Sequence, residues 1–155
     1  MAKKSWRFKQ NIYLIGMSHV SYLSNLTPDK FNATVERMVK LIKEHYPTAN
    51  VLAGRGLSSS MIIPALAAKL KLQWAIVRKG KTHSDYKVEV SERQCDKDGK
   101  AYVVLVDDLI DTGNTYRRVK KAVRSKYNDI NVEAVFLGAA CYESICHPIV
   151  KDKDI

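Results

Sequence analysis

The chain has 155 residues, 46% of them hydrophobic and 27% charged, the size and mix of one ordinary soluble domain with enough apolar side chains for a sizeable core. A single globular domain is expected on that ground, rather than a fibrous, disordered or multidomain organisation. Lys and Arg number 26 against 16 Asp and Glu, a formal charge of +10, which favours phosphate-bearing ligands, nucleic acid or anionic surfaces without choosing among them.

At the start, Lys3, Lys4, Arg7 and Lys9 precede a stretch without formal charge over 11–28. The profile is superficially that of a signal peptide, but Ser18, His19, Ser21, Ser24 and Asn25 interrupt it. No window supplies the roughly 20 apolar residues of a spanning helix, so a soluble, unprocessed, cytoplasmic protein is expected. Residues 11–16 (NIYLIG) read as a short strand. Phe31, Val35, Met38, Val39, Ile42 and Tyr46 recur at helical spacing and predict one buried stripe, with Thr27 as a hydroxyl cap, Pro28 at the first helical position and Pro47 closing the helix. Residues 50–53 (NVLA) form a brief strand, followed by the turn Gly54-Arg55-Gly56. Ser58 to Ser60 are cap candidates for a helix running to about Leu70, with Pro64 in its first turn or kinking it.

Residues 74–77 are another apolar run, and 102–106 (YVVLV) is a continuous β-branched one, as in strands buried on both faces of a parallel sheet. Residues 132–137 complete the set. Between the last two lies a helix with Tyr116, Val119, Val123 and Tyr127 as its inner stripe. Arg117, Lys121 and Arg124 should share another face, away from Gly113. The alternation predicts an α/β fold with a mainly parallel central sheet flanked by helices. Residues 79–99 break it: polar, with a short strand at 86–90 and the turn dipeptide Asp98-Gly99, they read as a lid. Cys95, Cys141 and Cys146 are an odd set without C-x-x-C spacing, which fits reduced thiols in a cytosol and neither a disulfide scaffold nor a four-ligand zinc site. Cys141, Cys146 and His147 could supply three metal ligands, yet small buried thiols beside a strand are commoner.

The informative segment is 103–115, VVLVDDLIDTGNT, a buried strand that ends in two carboxylates and passes through a glycine-containing loop into a helix. Ligands of parallel sheets bind beyond the carboxyl ends of strands, so Asp107 and Asp108 would offer acceptors to vicinal hydroxyls of a sugar. Asp111, Thr112, Gly113, Asn114 and Thr115 would wrap an anion with backbone N–H groups at the helix N-terminus. A diol and a phosphate together describe ribose 5-phosphate. No Gly-Lys-Ser/Thr follows a glycine turn, which excludes a Walker loop.

These residues resemble the signature of the type I phosphoribosyltransferases: an apolar strand, two acidic residues, two apolar residues and a Thr-Gly-centred phosphate loop. The resemblance extends over about 50–138. It implies a site for 5-phosphoribosyl 1-diphosphate (PRPP), with Asp107 and Asp108 on the ribose hydroxyls and 111–115 on the 5-phosphate. It implies that Arg55 and Gly56 contact diphosphate in a loop the family often strains or builds with a cis peptide, although on its own the segment reads equally as a plain glycine turn. Arg78 and Lys79 are similar to the family's basic pair beside the leaving group. Residues 81–92 resemble its flexible catalytic loop, with Lys81, Ser84, Tyr86 and Glu89; Tyr86 and Glu89 reproduce the adenine branch's Tyr-x-x-Glu spacing, while Asp85 stands where that branch has serine.

Asp111 matches the aspartate that 6-oxopurine enzymes use as general base or acid, which favours a purine acceptor and within purines a 6-oxopurine. The lysine those enzymes carry after the next strand has no counterpart near Ala139 and Ala140. Tyr142 could stack on a base, though an aromatic there is at least as often core. A small hood is expected from 1–28. The resemblance thus implies a homodimeric, Mg²⁺-dependent transferase of ribose 5-phosphate to a nucleobase, with Mg²⁺ reached through PRPP near Asp107 and Asp108 rather than in a protein cage. The alternative is a non-catalytic PRPP or nucleotide sensor that binds RNA or a protein partner through the basic run Arg117, Arg118, Lys120, Lys121, Arg124 and Lys126, whose commoner meaning is a solvated helix face.

Overall fold

The apolar run at 102–106 lies at the centre of the sheet. In a computed structural model of the chain, residues 27–80, 87–91, 97–144 and 147–155 are described. In chain order they form α1 (Pro28–His45), β1 (Val51–Arg55), α2 (Gly56–Ser60), α3 (Ile63–Leu70), β2 (Gln73–Val77), β3 (Val88–Val90), β4 (Lys100–Asp107), α4 (Asn114–Asn128), β5 (Glu133–Cys141), β6 (Ile149–Lys151) and a 3₁₀ turn (Asp152–Asp154). The six-stranded sheet has the order β3-β2-β1-β4-β5-β6. β2, β1, β4 and β5 are mutually parallel, and β3 and β6 close the two edges antiparallel.

Strand alternation sends side chains to two cores. Val51, Ala53, Val103 and Leu105 pack under Tyr116, Val119, Val123 and Tyr127 of α4. Leu52, Val104 and Val106 pack under Val35, Met38 and Ile42 of α1 and Ile63 and Leu66 of α3. The α1 stripe is buried as its spacing predicts, with Phe31 and Val39 at its margin. Pro28 opens the helix, but the Thr27 hydroxyl makes no cap bond and only its carbonyl enters the helix, accepting from the Phe31 N–H.

Several boundaries differ from the sequence reading. The serines do not cap a single helix: they lie inside the one-turn α2, and the chain breaks at Met61 and Ile62 before α3 starts with Pro64 in its first turn. Gly54 explains the compact step, since a Cβ there would lie 2.2 Å from Ser59 Cβ and 2.6 Å from Ile63 Cδ1. β5 runs on to Cys141, because Gly138, Ala139 and Ala140 are small enough to pass between neighbours. A Cβ at Gly138 would meet the Val150 carbonyl oxygen at 2.2 Å. The edge strand β6 was not anticipated; the Tyr46 hydroxyl holds it by donating to the Val150 carbonyl at 2.8 Å. The expected strand 11–16, residues 1–26 of the hood expected over 1–28, and the loop residues Lys81, Ser84 and Tyr86 lie outside the described residues, as do Cys95 and Cys146; Thr27 and Pro28 begin α1 instead. Among the described residues no helix is long and apolar enough to cross a membrane.

Candidate active site

β1 and β4 are neighbours whose onward connections leave in opposite directions, to β2 on one side and β5 on the other. Their carboxyl-end loops therefore part, and ligands of such sheets bind in the gap. The gap here holds about 220 Å³ and is lined by Arg55, Ser58 and Lys79 and by residues 107–116.

Asp107 is the last residue of β4 and only 5% exposed. Its Oδ1 accepts from the Ser58 hydroxyl at 2.8 Å and from the Asp108 N–H at 3.1 Å. Burial pushes its carboxyl up to about 6, the Ser58 hydrogen bond opposes that, and the Asp108 charge adds to it. Two residues beyond β5, burial and the Asp108 charge likewise raise the Glu143 carboxyl. Burial, then the Asp107 charge, pushes the Cys141 thiol up to about 12, which makes it an inert core thiol. Negative charge thus collects at the ends of β4 and β5, and among the described residues none of its carboxylates forms an ion pair. Hard oxygen donors carrying unbalanced charge suit Mg²⁺. No described cluster of three ligands could cage a metal, so Asp107 and Asp108 would meet Mg²⁺ together with oxygens of a ligand, where the ion would neutralise phosphate charge.

Past Asp108 the chain turns through exposed Asp111 and Thr112 into Gly113, the N-cap of α4, at φ 73°. That left-handed conformation favours glycine. No side chain caps α4 and its first turn holds no acidic residue, so free N–H groups and the positive helix end face the crevice without an internal competitor. Among the described residues the Asn114 N–H has a local contact, 3.4 Å from the Thr112 hydroxyl. An anion fits such an end. Beside Lys79, Gly56 has φ 70°, with peptide bonds trans throughout the described residues; of the strained or cis loop that the resemblance implied and the plain glycine turn read beside it, the chain has a left-handed glycine and no cis peptide there. Lys79 lies over it, with Cε 2.5 Å from where a Gly56 Cβ would stand.

The structure brings Asp107, Asp108, Asp111, Thr112, Gly113, Asn114, Thr115, Arg55 and Lys79 to one crevice, and Gly56 lies against the Lys79 side chain without lining it. Three expected residues lie elsewhere. Arg78 is not among the lining residues: its guanidinium grips the Glu89 carboxylate, with Nε at 3.0 Å. Glu89 accordingly lies in β3, paired opposite Ile76, within the short strand expected at 86–90. Tyr142, for which base stacking and a core position were both open, takes the core position: it is 3% exposed beside α1 and donates its hydroxyl to the Ser58 carbonyl at 2.9 Å, because β5 continues far enough to carry it inward. Ser58, a cap candidate by sequence, instead donates to Asp107; three successive serines after a glycine turn are the signal in the sequence that hydroxyls crowd this rim. The basic helix face is also partly consumed. Arg117 reaches back to the Thr112 carbonyl at 2.7 Å, Lys120 pairs with Asp152, and Arg124 donates to the Ala134 carbonyl at 3.2 Å.

Residues 51–143 match the family model described as the phosphoribosyl transferase domain. A curated relative, the orotate phosphoribosyltransferase of Levilactobacillus brevis, is 37% identical over 89 residues, a segment that spans 56% of this chain and 40% of that protein. Among solved structures, the adenine phosphoribosyltransferase of Saccharomyces cerevisiae superposes with TM-score 0.56 at 22% identity, over 74% of this chain and 68% of that one. The orotate phosphoribosyltransferase of Aeropyrum pernix superposes with TM-score 0.54 at 14% identity, over 78% of each chain. These two share the fold. With the family model covering more than half of its length and both halves of the crevice, the chain belongs to the phosphoribosyl transferase domain family.

Proposed function

We propose that this protein is a PRPP-dependent phosphoribosyltransferase that moves ribose 5-phosphate onto a ring nitrogen of a nucleobase and releases diphosphate. The observation that carries the reading is the division of the crevice. Carboxylates at Asp107 and Asp108 stand beside an uncapped helix N-terminus on one wall, and Arg55 and Lys79 stand on the other. The first wall suits a sugar diol with its 5-phosphate, and the second suits the diphosphate. In the reaction the C1–O bond to diphosphate breaks and a C1–N bond forms, and cations beside the departing group stabilise the charge it gains. Mg²⁺, when bound, shields phosphate charge at the acidic wall.

Asp111, exposed on the lining, is the group within reach to take or return the proton of the attacking nitrogen, which supports a purine acceptor and a 6-oxopurine among purines. The orotate enzyme among the relatives keeps a pyrimidine in the comparison. The reading extends to a homodimer in the cytoplasm. Incubation with PRPP and Mg²⁺ against hypoxanthine, guanine, xanthine, adenine, uracil and orotate, followed by mass spectrometry, should yield one or more nucleotides together with diphosphate. PRPP binding by calorimetry without any nucleotide would leave a sensor; absence of PRPP binding would overturn the whole reading.

A further inference from the structure

Arg117 is one turn into α4, on a face expected to be solvated and remote from the phosphate loop, yet it makes two bonds back toward the loop and a third to the segment 152–155. Nη2 donates to the Thr112 carbonyl at 2.7 Å and to Asn114 Oδ1 at 2.9 Å, and Nη1 donates to the Ile155 carbonyl at 3.1 Å. The segment that receives the third bond is itself fastened to the same helix. The Tyr116 hydroxyl donates to Asp152 Oδ1 at 2.6 Å, and Lys120 Nζ lies 2.5 Å from the same oxygen. Ile155 packs against the α4 core, with Cγ2 2.8 Å from where a Gly113 Cβ would stand. Glycine at 113 thus leaves room for Ile155 as well as for the left-handed turn.

Resting on the reading of this crevice as a PRPP site, we propose that Arg117 and the segment 152–155 form a clamp that positions the phosphate loop, with Arg117 a positioning residue that never touches the ligand. In a planar trans peptide the carbonyl and the N–H point to opposite sides. Holding the Thr112 carbonyl against Arg117 turns the Gly113 N–H the other way, toward the anion. The guanidinium's planar fork suits several acceptors fixed at once, which a lysine's point charge does not reproduce. Preorganised donors hold an anion more tightly than donors that must first be ordered.

The test is calorimetry with two probes, ribose 5-phosphate for the loop and inorganic diphosphate for the opposite wall, on the full chain and on Arg117→Ala, Arg117→Lys, Asp152→Asn and Lys121→Ala. Loss of a charge-assisted fork predicts that Arg117→Ala weakens ribose 5-phosphate about tenfold or more. Arg117→Lys should recover only part of that loss, because charge alone does not hold the peptide. Asp152→Asn should weaken the same probe by about threefold, through the tail alone. Diphosphate affinity should stay constant throughout, and Lys121→Ala should match wild type for both probes. Equal affinity of Arg117→Lys and wild type would reduce the effect to long-range charge and overturn the clamp. A parallel loss for both probes would overturn it too, as general loosening. If Arg117→Ala does not fold, Asp152→Asn and Arg117→Lys decide alone. Wild type that binds neither probe would defeat the PRPP reading itself, and the clamp with it, whereas wild type that binds both with no loss in any variant would defeat only the clamp.

Discussion

Replacing Asp107 by asparagine should make the protein more stable while disabling the site. The carboxyl is 5% exposed and held at about 6, against an ordinary 3.8, chiefly by burial. Between those pH values the unfolded chain has released the proton that the folded chain still keeps, so stability falls as pH rises through the window and stays lower above it. The distance from 3.8 to about 6 corresponds to ~3 kcal/mol. Asparagine removes the charge and keeps an oxygen for the Ser58 hydroxyl and the Asp108 N–H, whose bonds are 2.8 and 3.1 Å. Its amide N–H groups need new partners, which costs about 1–2 kcal/mol and leaves a net gain of about 1–2 kcal/mol. Urea denaturation at pH 8, 6 and 4 should show Asp107→Asn ahead at pH 8, still ahead at pH 6 by a smaller margin, and behind wild type at pH 4, where the charge penalty is nearly gone and the cost of the amide remains. PRPP affinity of the same variant, measured at pH 8, should fall about tenfold or more, the loss expected when a charged acceptor of the ribose hydroxyls is removed. A variant less stable than wild type at pH 8, or a gap indifferent to pH, would refute the claim that this buried charge is tolerated for a ligand rather than for the fold.

Two further substitutions test neighbouring parts of the crevice. Gly54→Ala places a methyl 2.2 Å from Ser59 Cβ, an atom tied to the α2 backbone, and should cost about 2–3 kcal/mol by overpacking, read as a lower urea midpoint. Lys79→Ala should weaken inorganic diphosphate about tenfold in calorimetry, whereas Arg78→Ala should leave that affinity within about twofold and cost under ~1 kcal/mol of stability, since its half-exposed partner is Glu89.

What the sequence made legible was set by local patterning. The inner stripes of α1 and α4 follow from 3.6-residue spacing, because a helix face that must be buried has to repeat at that period. The β4 run and the two acids after it mark the crevice because a parallel strand shows its ligand-facing residues at its carboxyl end. The pairing of Arg78 with Glu89, the hydroxyl bond of Tyr142 and the bonds of Arg117 escaped the same reasoning, since each is decided by a partner that no periodic spacing reveals. Arg78 turns from the crevice because β3 returns antiparallel and sets Glu89 opposite Ile76. Tyr142 goes inward because the small residues 138–140 let β5 run on, putting its hydroxyl against the Ser58 carbonyl. No periodicity announces that Asp152 will meet Tyr116 and Lys120.

Such partners also sort the charges around the crevice. A surplus of ten positive charges would by itself draw any anion to any face, and only positioning makes one face selective. Arg78, Lys120 and Arg124 are held by Glu89, Asp152 and the Ala134 carbonyl, and Arg117 is bound to the loop's outer side. Lys79 and Arg55 stand on the crevice. Opposite them, Asp107, Asp108 and Glu143 concentrate negative charge at the ends of β4 and β5. A ligand with phosphate groups at both ends and hydroxyls between meets three different environments in sequence: the cations, the carboxylates, and the neutral N–H groups of an uncapped helix end. A simple polyanion such as RNA would gain nothing from the carboxylates between the two anion sites and would be repelled by them. That alternation, more than the number of cations, is what makes the proposed sugar diphosphate a better fit to this crevice than a nucleic-acid backbone.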